Sequence, residues 1–222
     1  MNLYLPHMAR IDYNHWSSLC VAVNARHAVR ETYNAMVSQY QNGVRAYHNL
    51  EHVVQCLEEF DALQSLCQAP HVVELAIWYH DVIYDPRAKD NEEKSGQRAL
   101  IDLAAMGVSG TLAHDVQRLI LLTKHDCLPA DMDGRLIVDI DLSILAQPPE
   151  MFDRYECAVR TEYSWMPDEE FWPRRRDFLK AMLSREQIFL TDRYAQKFER
   201  AARKNLMRSV RQIEEKGWIG RD

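Results

Sequence analysis

Residues 72–85 read VVELAIWYHDVIYD, and the first half is apolar on nearly every side of the helix it would form. A helix with no polar face has to be surrounded by other elements. The chain must therefore supply enough structure to wrap this segment. The segment also carries His80 next to Asp81 inside the apolar surround. An imidazole and a carboxylate are expensive to bury unless something pairs with them. A metal ion is one partner that takes both at once, because neutral imidazole and carboxylate are ordinary transition-metal ligands. Two adjacent residues cannot close such a site, so the remaining ligands must come from elsewhere.

The wrapping elements read as helices. Among 222 residues there are only 7 Gly and 8 Pro, which disfavours a β-rich or disordered chain. Helices are expected at about 11–23 and 25–41, the second stopping at Asn42-Gly43. From His48 to Leu66, apolar residues recur at three-and-four spacing. Pro70 opens the central helix, where its missing N–H is harmless, and Asp85-Pro86 ends it. Asn91 is expected to cap a helix that carries Glu92 and Glu93 in its first turn. Ser109 starts another, ending near His125, and Asp131–Gly134 reads as a turn. Residues 135–146, RLIVDIDLSILA, read as helix, stopped by Pro148-Pro149. Helices at 149–165, 168–186 and 191–216 follow, the last stopped by Gly217. With no repeat or long linker, residues 1–222 read as a single all-α domain of roughly nine or ten helices.

A net charge of −6 argues against broad nucleic-acid or anionic-membrane binding. The five cysteines (20, 56, 67, 127, 157) are odd in number and include no C-x-x-C pair. That points away from a disulfide framework and towards a reducing compartment. The N-terminal MNLYLPHMARIDYNHW does not read as a signal peptide, and no apolar run approaches a membrane span. The expected location is cytoplasmic.

Histidines stand at 7, 15, 27, 48, 52, 71, 80, 114 and 125. Those at 7, 15, 27, 71 and 114 read as ordinary surface or satisfied core residues. His48 and His52, in YHNLEHV, share one helix face at i and i+4. Asp139 and Asp141, in VDIDL, lie in an otherwise apolar run. On a helix they point about 200° apart, so at most one faces a given site. Cys56, one turn after His52, reads as a small packed hydrophobe.

The order His, then His-Asp, then Asp, each in an apolar helix, resembles the HD superfamily of metal-dependent phosphohydrolases. YHNLEH is similar to the motif of the cyclic-nucleotide phosphodiesterases in the same superfamily. A small bacterial branch of HD-type proteins is the nearer resemblance. It is carried by RAYH at 45–48 with His52, YHDVIYD, DNEEKSG at 90–96, TKH at 123–125 and DIDLSILA. RTEY at 160–163 and the ending IFLTDRYAQKFERAARKNL extend it to residue 206. Ala146 departs from that branch, which often has Gly there.

The resemblance implies an all-helical fold and the ligands His52, His80, Asp81 and Asp141. Asp141 is preferred to Asp139 because Leu142 and Leu145 follow it. It implies His48 as general acid, about 6 Å from His52 along a helix. Asp81 would also orient the nucleophilic water or bridge a second ion, and Glu92 would hold a water or serve as base. The cofactor would be one or two divalent ions (Mn, Fe, Co, Ni or Zn), with Mg at a second site. The substrate would be a small phosphate ester or nucleotide, with neither nucleic acid nor membrane as partner.

Outer candidates are less specific. His125 is either near the site or a helix cap, and Asp85 reads as a loop cap. Lys124, Arg160 and Arg175 are candidate phosphate binders. Trp78, Tyr79 and Tyr84 would line the core or a pocket wall. Two other functional readings stay open: a di-iron oxygenase on the HD fold, and a non-catalytic module that senses a nucleotide.

Overall fold

A computed structural model of the protein describes residues 10–43 and 45–215. His7, Gly217 and the first nine residues of the N-terminal stretch lie outside them. The described residues contain ten α-helices and no strand, so the chain is all-α as its periodicity implies. The helices are α1 (Tyr13–Ala22), α2 (Val29–Gln41), α3 (Leu50–Leu63), α4 (Pro70–Tyr79) and α5 (Asn91–Ala105). They continue with α6 (Gly110–Leu122), α7 (Met132–Asp141), α8 (Pro149–Glu162), α9 (Asp168–Ser184) and α10 (Asp192–Glu215). Short 3-10 turns follow α3, at Gln64–Leu66, and α7, at Leu142–Ala146. Two compact units are present, residues 1–140 and 141–222. Helix α7 runs through the boundary, and its last residue is Asp141.

In the first unit α4 is the centre. Every residue from Val72 to Tyr79 is buried, and α1, α3, α5 and α6 pack around it. Trp16 of α1 meets Trp78 of α4 edge to face at 5.4 Å, a favoured aromatic geometry. The one acidic residue in this run, Glu74, is neutralised from outside the helix. His15 Nε2 lies 2.5 Å from its carboxylate, and Arg10 lies at 3.5 Å.

The start of α4 has an uncommon cap. Ala69 provides no side-chain acceptor. Instead Asp133, from the first turn of α7, accepts from the backbone N–H of Gln68 at 2.7 Å and of Ala69 at 2.8 Å. The carboxylate thus does the work of an N-cap from a distant element. Asp133→Ala is expected to destabilise the fold by about 1–2 kcal/mol in chemical denaturation, with Asp133→Asn losing less. A change within experimental error would show that water replaces the carboxylate without loss.

Three local expectations are corrected. The central helix stops at Tyr79, not at Asp85. Beyond it one tighter backbone bond, Val82 N–H to the Tyr79 carbonyl at 3.0 Å, is joined by side-chain contacts. Arg45 donates to the carbonyls of Asp81 at 2.7 Å and Val82 at 3.1 Å, and Ser95 Oγ bonds Ile83 N–H at 3.1 Å. Secondly, Asn91 does not cap α5. Asp90 holds that position, while the Asn91 amide bridges both backbone groups of Asp85. Thirdly, Asp131–Gly134 leads into α7: Asp131 Oδ1 accepts from Gly134 N–H at 2.8 Å.

In the second unit the 3-10 turn Leu142–Ala146 is buried throughout, and α8 and α10 pack on it. Asn205 of α10 donates to the carbonyls of Leu145 at 2.9 Å and Gln147 at 2.8 Å, satisfying acceptors that the end of the turn leaves open. Helix α10 also packs on α9. Tyr194, Ala202, Leu206, Val210 and Ile213 form its buried stripe.

No helix among the described residues is long and apolar enough to cross a membrane.

Candidate metal centre

Two helices of the first unit bring the site together. Helix α3 carries His52 and Cys56 one turn apart, and α4 places His80 at its C-terminal cap. One ligand atom from each of these three residues lies within 4.8 Å of the others, and all three are buried. Asp141, the last residue of α7, is half-buried and begins the second unit.

The imidazole geometry is the most informative part. His52 Nε2 and His80 Nε2 are 3.0 Å apart. Two nitrogens bound to one ion at ~2.1 Å would be separated by ~3.0 Å at a right angle and ~3.4 Å at a tetrahedral one. His80 Nδ1 lies 2.8 Å from the Ile77 carbonyl oxygen. That oxygen can only accept, so Nδ1–H donates to it and Nε2 is the ring nitrogen left facing His52. This is the orienting contact that metal-binding histidines generally have.

Asp81 stands against the same two nitrogens. Its Oδ2 is 3.1 Å from His80 Nε2 and 3.6 Å from His52 Nε2. Burial by itself would raise the Asp81 pKa. The positive potential of His80, His48 and His52, with the His80 hydrogen bond, outweighs burial and holds the carboxyl well below its ordinary range. An ionised carboxylate beside two imidazole nitrogens suits a cation. The donor set therefore fits a divalent ion. Of the expected ligands, His52 and His80 fall in this cluster of the first unit. Asp81 adjoins it, and Cys56 joins it unexpectedly.

His48 is not on the α3 face. Asn49 is the N-cap, with extended backbone, and its side chain accepts from the N–H of Glu51 at 2.8 Å and of His52 at 3.4 Å. His48 therefore lies just before the helix, although its ring is still 6.2 Å from that of His52. It stacks on Tyr84 at 4.0 Å with the planes 23° apart. Arg45 ties the two segments together, donating to the His48 carbonyl at 3.0 Å as well as to those of Asp81 and Val82. Sequence reasoning assigned Arg45 no role. Its place in RAYH beside His48 was the available signal.

The outer candidates divide. Glu92 is half-buried in the first turn of α5. Burial and the negative potential of Asp81 raise its carboxyl pKa, against a backbone hydrogen bond that lowers it. His125 is outside the cluster and has a left-handed backbone (φ +59°) past the end of α6. Its N–H bonds the Leu122 carbonyl at 3.1 Å, two residues past the Thr123 C-cap, so it helps close the end of α6. Asp85 caps the loop through Arg87 N–H at 2.9 Å.

Each basic candidate is bound to a carboxylate: Lys124 to Glu93, Arg160 to Asp168 and Arg175 to Glu156. Arg160 also donates to two carbonyls, of Tyr163 and Met166. Trp78 and Tyr79 are core residues, and Tyr84 is the wall on which His48 rests. Among the remaining histidines, His15 pairs with Glu74, His114 bonds the Gly110 carbonyl, and His71 is exposed.

No protein-family profile matches this chain, and no curated protein or solved structure does so either.

Proposed function

We propose that this protein is a divalent-metal-dependent phosphohydrolase of the HD type, acting on a small phosphate ester such as a nucleotide. The supporting observation is the convergence of His52 and His80 Nε2 at 3.0 Å, with His80 held by the Ile77 carbonyl and Asp81 alongside. His52, His80, Asp81 and Asp141 would hold the ion. When bound, a divalent ion supplies an ionised water at neutral pH and offsets charge on a phosphoryl oxygen.

The chain's own residues perform the rest. His48 lies outside the ligand cluster but beside it, and its stacked contact with Tyr84 fixes the ring. It donates a proton to the leaving oxygen. Asp81 orients the attacking water. Glu92, whose carboxyl is shifted towards neutrality, is placed to accept a proton. Five free thiols suit a reducing cytosol.

The test starts with elemental analysis of the purified protein. A panel of phosphomonoesters, phosphodiesters and nucleotides with the native metal follows. Turnover that is abolished by chelation and restored by that metal is expected. His48→Asn should keep its metal while turnover falls by ~10²–10⁴-fold. Stoichiometric metal with no hydrolysis of any panel member would overturn the proposal. An iron-pair optical spectrum would favour the oxygenase reading instead.

A further inference from the structure

We infer that Arg45 is a positioning residue for His48: its guanidinium ties the backbone that carries the His48 ring to the backbone just past His80. The consequence for turnover rests on the phosphohydrolase reading above, whereas the positioning itself does not. His48 precedes the Asn49 cap of α3, so the helix does not fix it. The short segment around it closes on that cap. The Asn49 side-chain amide donates to the carbonyls of Arg45 at 3.2 Å and Ala46 at 3.3 Å, and Asn49 N–H donates to that of Tyr47 at 2.8 Å. These bonds tie the segment to the start of α3 alone.

The Arg45 side chain makes the second connection. Its Nη1 donates to the carbonyls of His48 at 3.0 Å and Asp81 at 2.7 Å, and its Nη2 to that of Val82 at 3.1 Å. Asp81 and Val82 follow the end of α4 at Tyr79, where carbonyls are no longer taken by helical N–H groups. A fixed positive charge there also complements the negative end of the helix dipole. Lysine cannot copy the arrangement. A planar guanidinium presents its donors as a rigid fork, whereas an ammonium is one point charge on a flexible stem. The Tyr84 ring joins the same two segments: His48 stacks on it at 4.0 Å, and the guanidinium carbon lies 5.7 Å from its centre. Backbone and ring of His48 are thus held against residues 81–84 by separate contacts. Without the clamp, the stack alone has to keep the ring beside His52.

Proton–carbon correlation spectra of the histidine rings test this in chelator-stripped protein, with His48→Asn identifying the His48 signals. The Tyr84 ring current should place the His48 ring protons upfield in wild-type protein, and Tyr84→Leu gives their unstacked position. Arg45→Lys should move them most of the way to that position. The ring of His114, which bonds the Gly110 carbonyl, should stay unmoved. His48 signals at the wild-type position in folded Arg45→Lys would overturn the inference, because the stack alone would then hold the ring. Wild-type protein supplies a reading that needs no variant. Arg45 Nη protons held by three carbonyls should give separate, slowly exchanging signals, and averaged signals like those of a solvated guanidinium would overturn the clamp. In the hydrolysis assay, Arg45→Lys should lower kcat by up to ~10²-fold with KM little changed. Methylguanidinium added to Arg45→Ala should restore part of that loss. A displaced ring with wild-type kcat would overturn the role in turnover. A substrate panel without turnover would overturn the phosphohydrolase reading, while the ring signals still decide the clamp.

Discussion

His80→Ala is expected to purify without stoichiometric metal and to lose metal-dependent hydrolysis. His80 is the candidate ligand whose ring is most firmly held. Its backbone continues the last turn of α4, with its N–H on the Ala76 carbonyl at 2.9 Å. Its Nδ1 is spent on Ile77, which leaves Nε2 facing His52 at 3.0 Å. Altering the contacts behind a ligand commonly lowers metal affinity by ~10–100-fold, so removing the ligand should reach at least the upper end of that range. Calorimetric titration measures the affinity. A thermal melt provides a second readout, because a ligand that binds only the folded state adds about 2.7 kcal/mol at a hundred times its Kd. Wild-type protein should melt higher with metal than with chelator, whereas His80→Ala should show almost no difference. Exposed His71→Ala is the control. A His80→Ala protein with wild-type affinity would place the metal elsewhere.

Arg175→Ala should be the most damaging single change in the second unit. Arg175 of α9 meets Glu156 of α8 through two donors, at 2.5 and 3.2 Å, with the side chains only 10% and 12% exposed. The other Glu156 oxygen accepts from Ser209 of α10 at 3.0 Å. The guanidinium also stacks against Tyr155 and Phe178, at 5.1 and 4.9 Å from their ring centres. Burial opposes the arginine's charge, but Tyr155 and Glu156 outweigh it and raise its pKa further. Truncation leaves the Glu156 carboxylate buried without its counter-ion, a loss of about 3–5 kcal/mol. That corresponds to a drop of roughly 6–20 °C in Tm for a chain of this size. Replacing both partners, as Arg175→Met with Glu156→Leu, should recover most of the loss, because the attraction mainly offsets desolvation. A single variant within about 1 kcal/mol of wild type would mean that water already screens the pair.

The fold class was legible because helical periodicity is a local property. Each of α3, α6, α8 and α10 shows its buried stripe in the sequence. The largely apolar run of α4 announced a central helix, and Pro70 marked its start. Helix ends that depend on remote side chains were not legible. Asp85-Pro86 looked like the natural stop, but the Arg45 clamp takes the carbonyls of Asp81 and Val82, and Ser95 takes the backbone of Ile83. His48 and His52 looked like a pair on one helix, yet Asn49 takes the cap and puts His48 outside it.

By itself, the sequence determined that His52, His80 and Asp81 are candidates for a metal centre. Burying His52, His80 and Asp81 in apolar surroundings demands a partner, and that demand follows from residue type and local pattern. The tertiary structure decided which atoms meet and what surrounds them. It set Cys56, which reads as a packed hydrophobe, beside His52 and His80, and it bound Lys124, Arg160 and Arg175 to carboxylates. The reason is one of range. Periodicity fixes directions along one helix, but convergence depends on where separate helices end, and those ends are set by contacts such as Asp133 on α4 and Arg45 on residues 81–82.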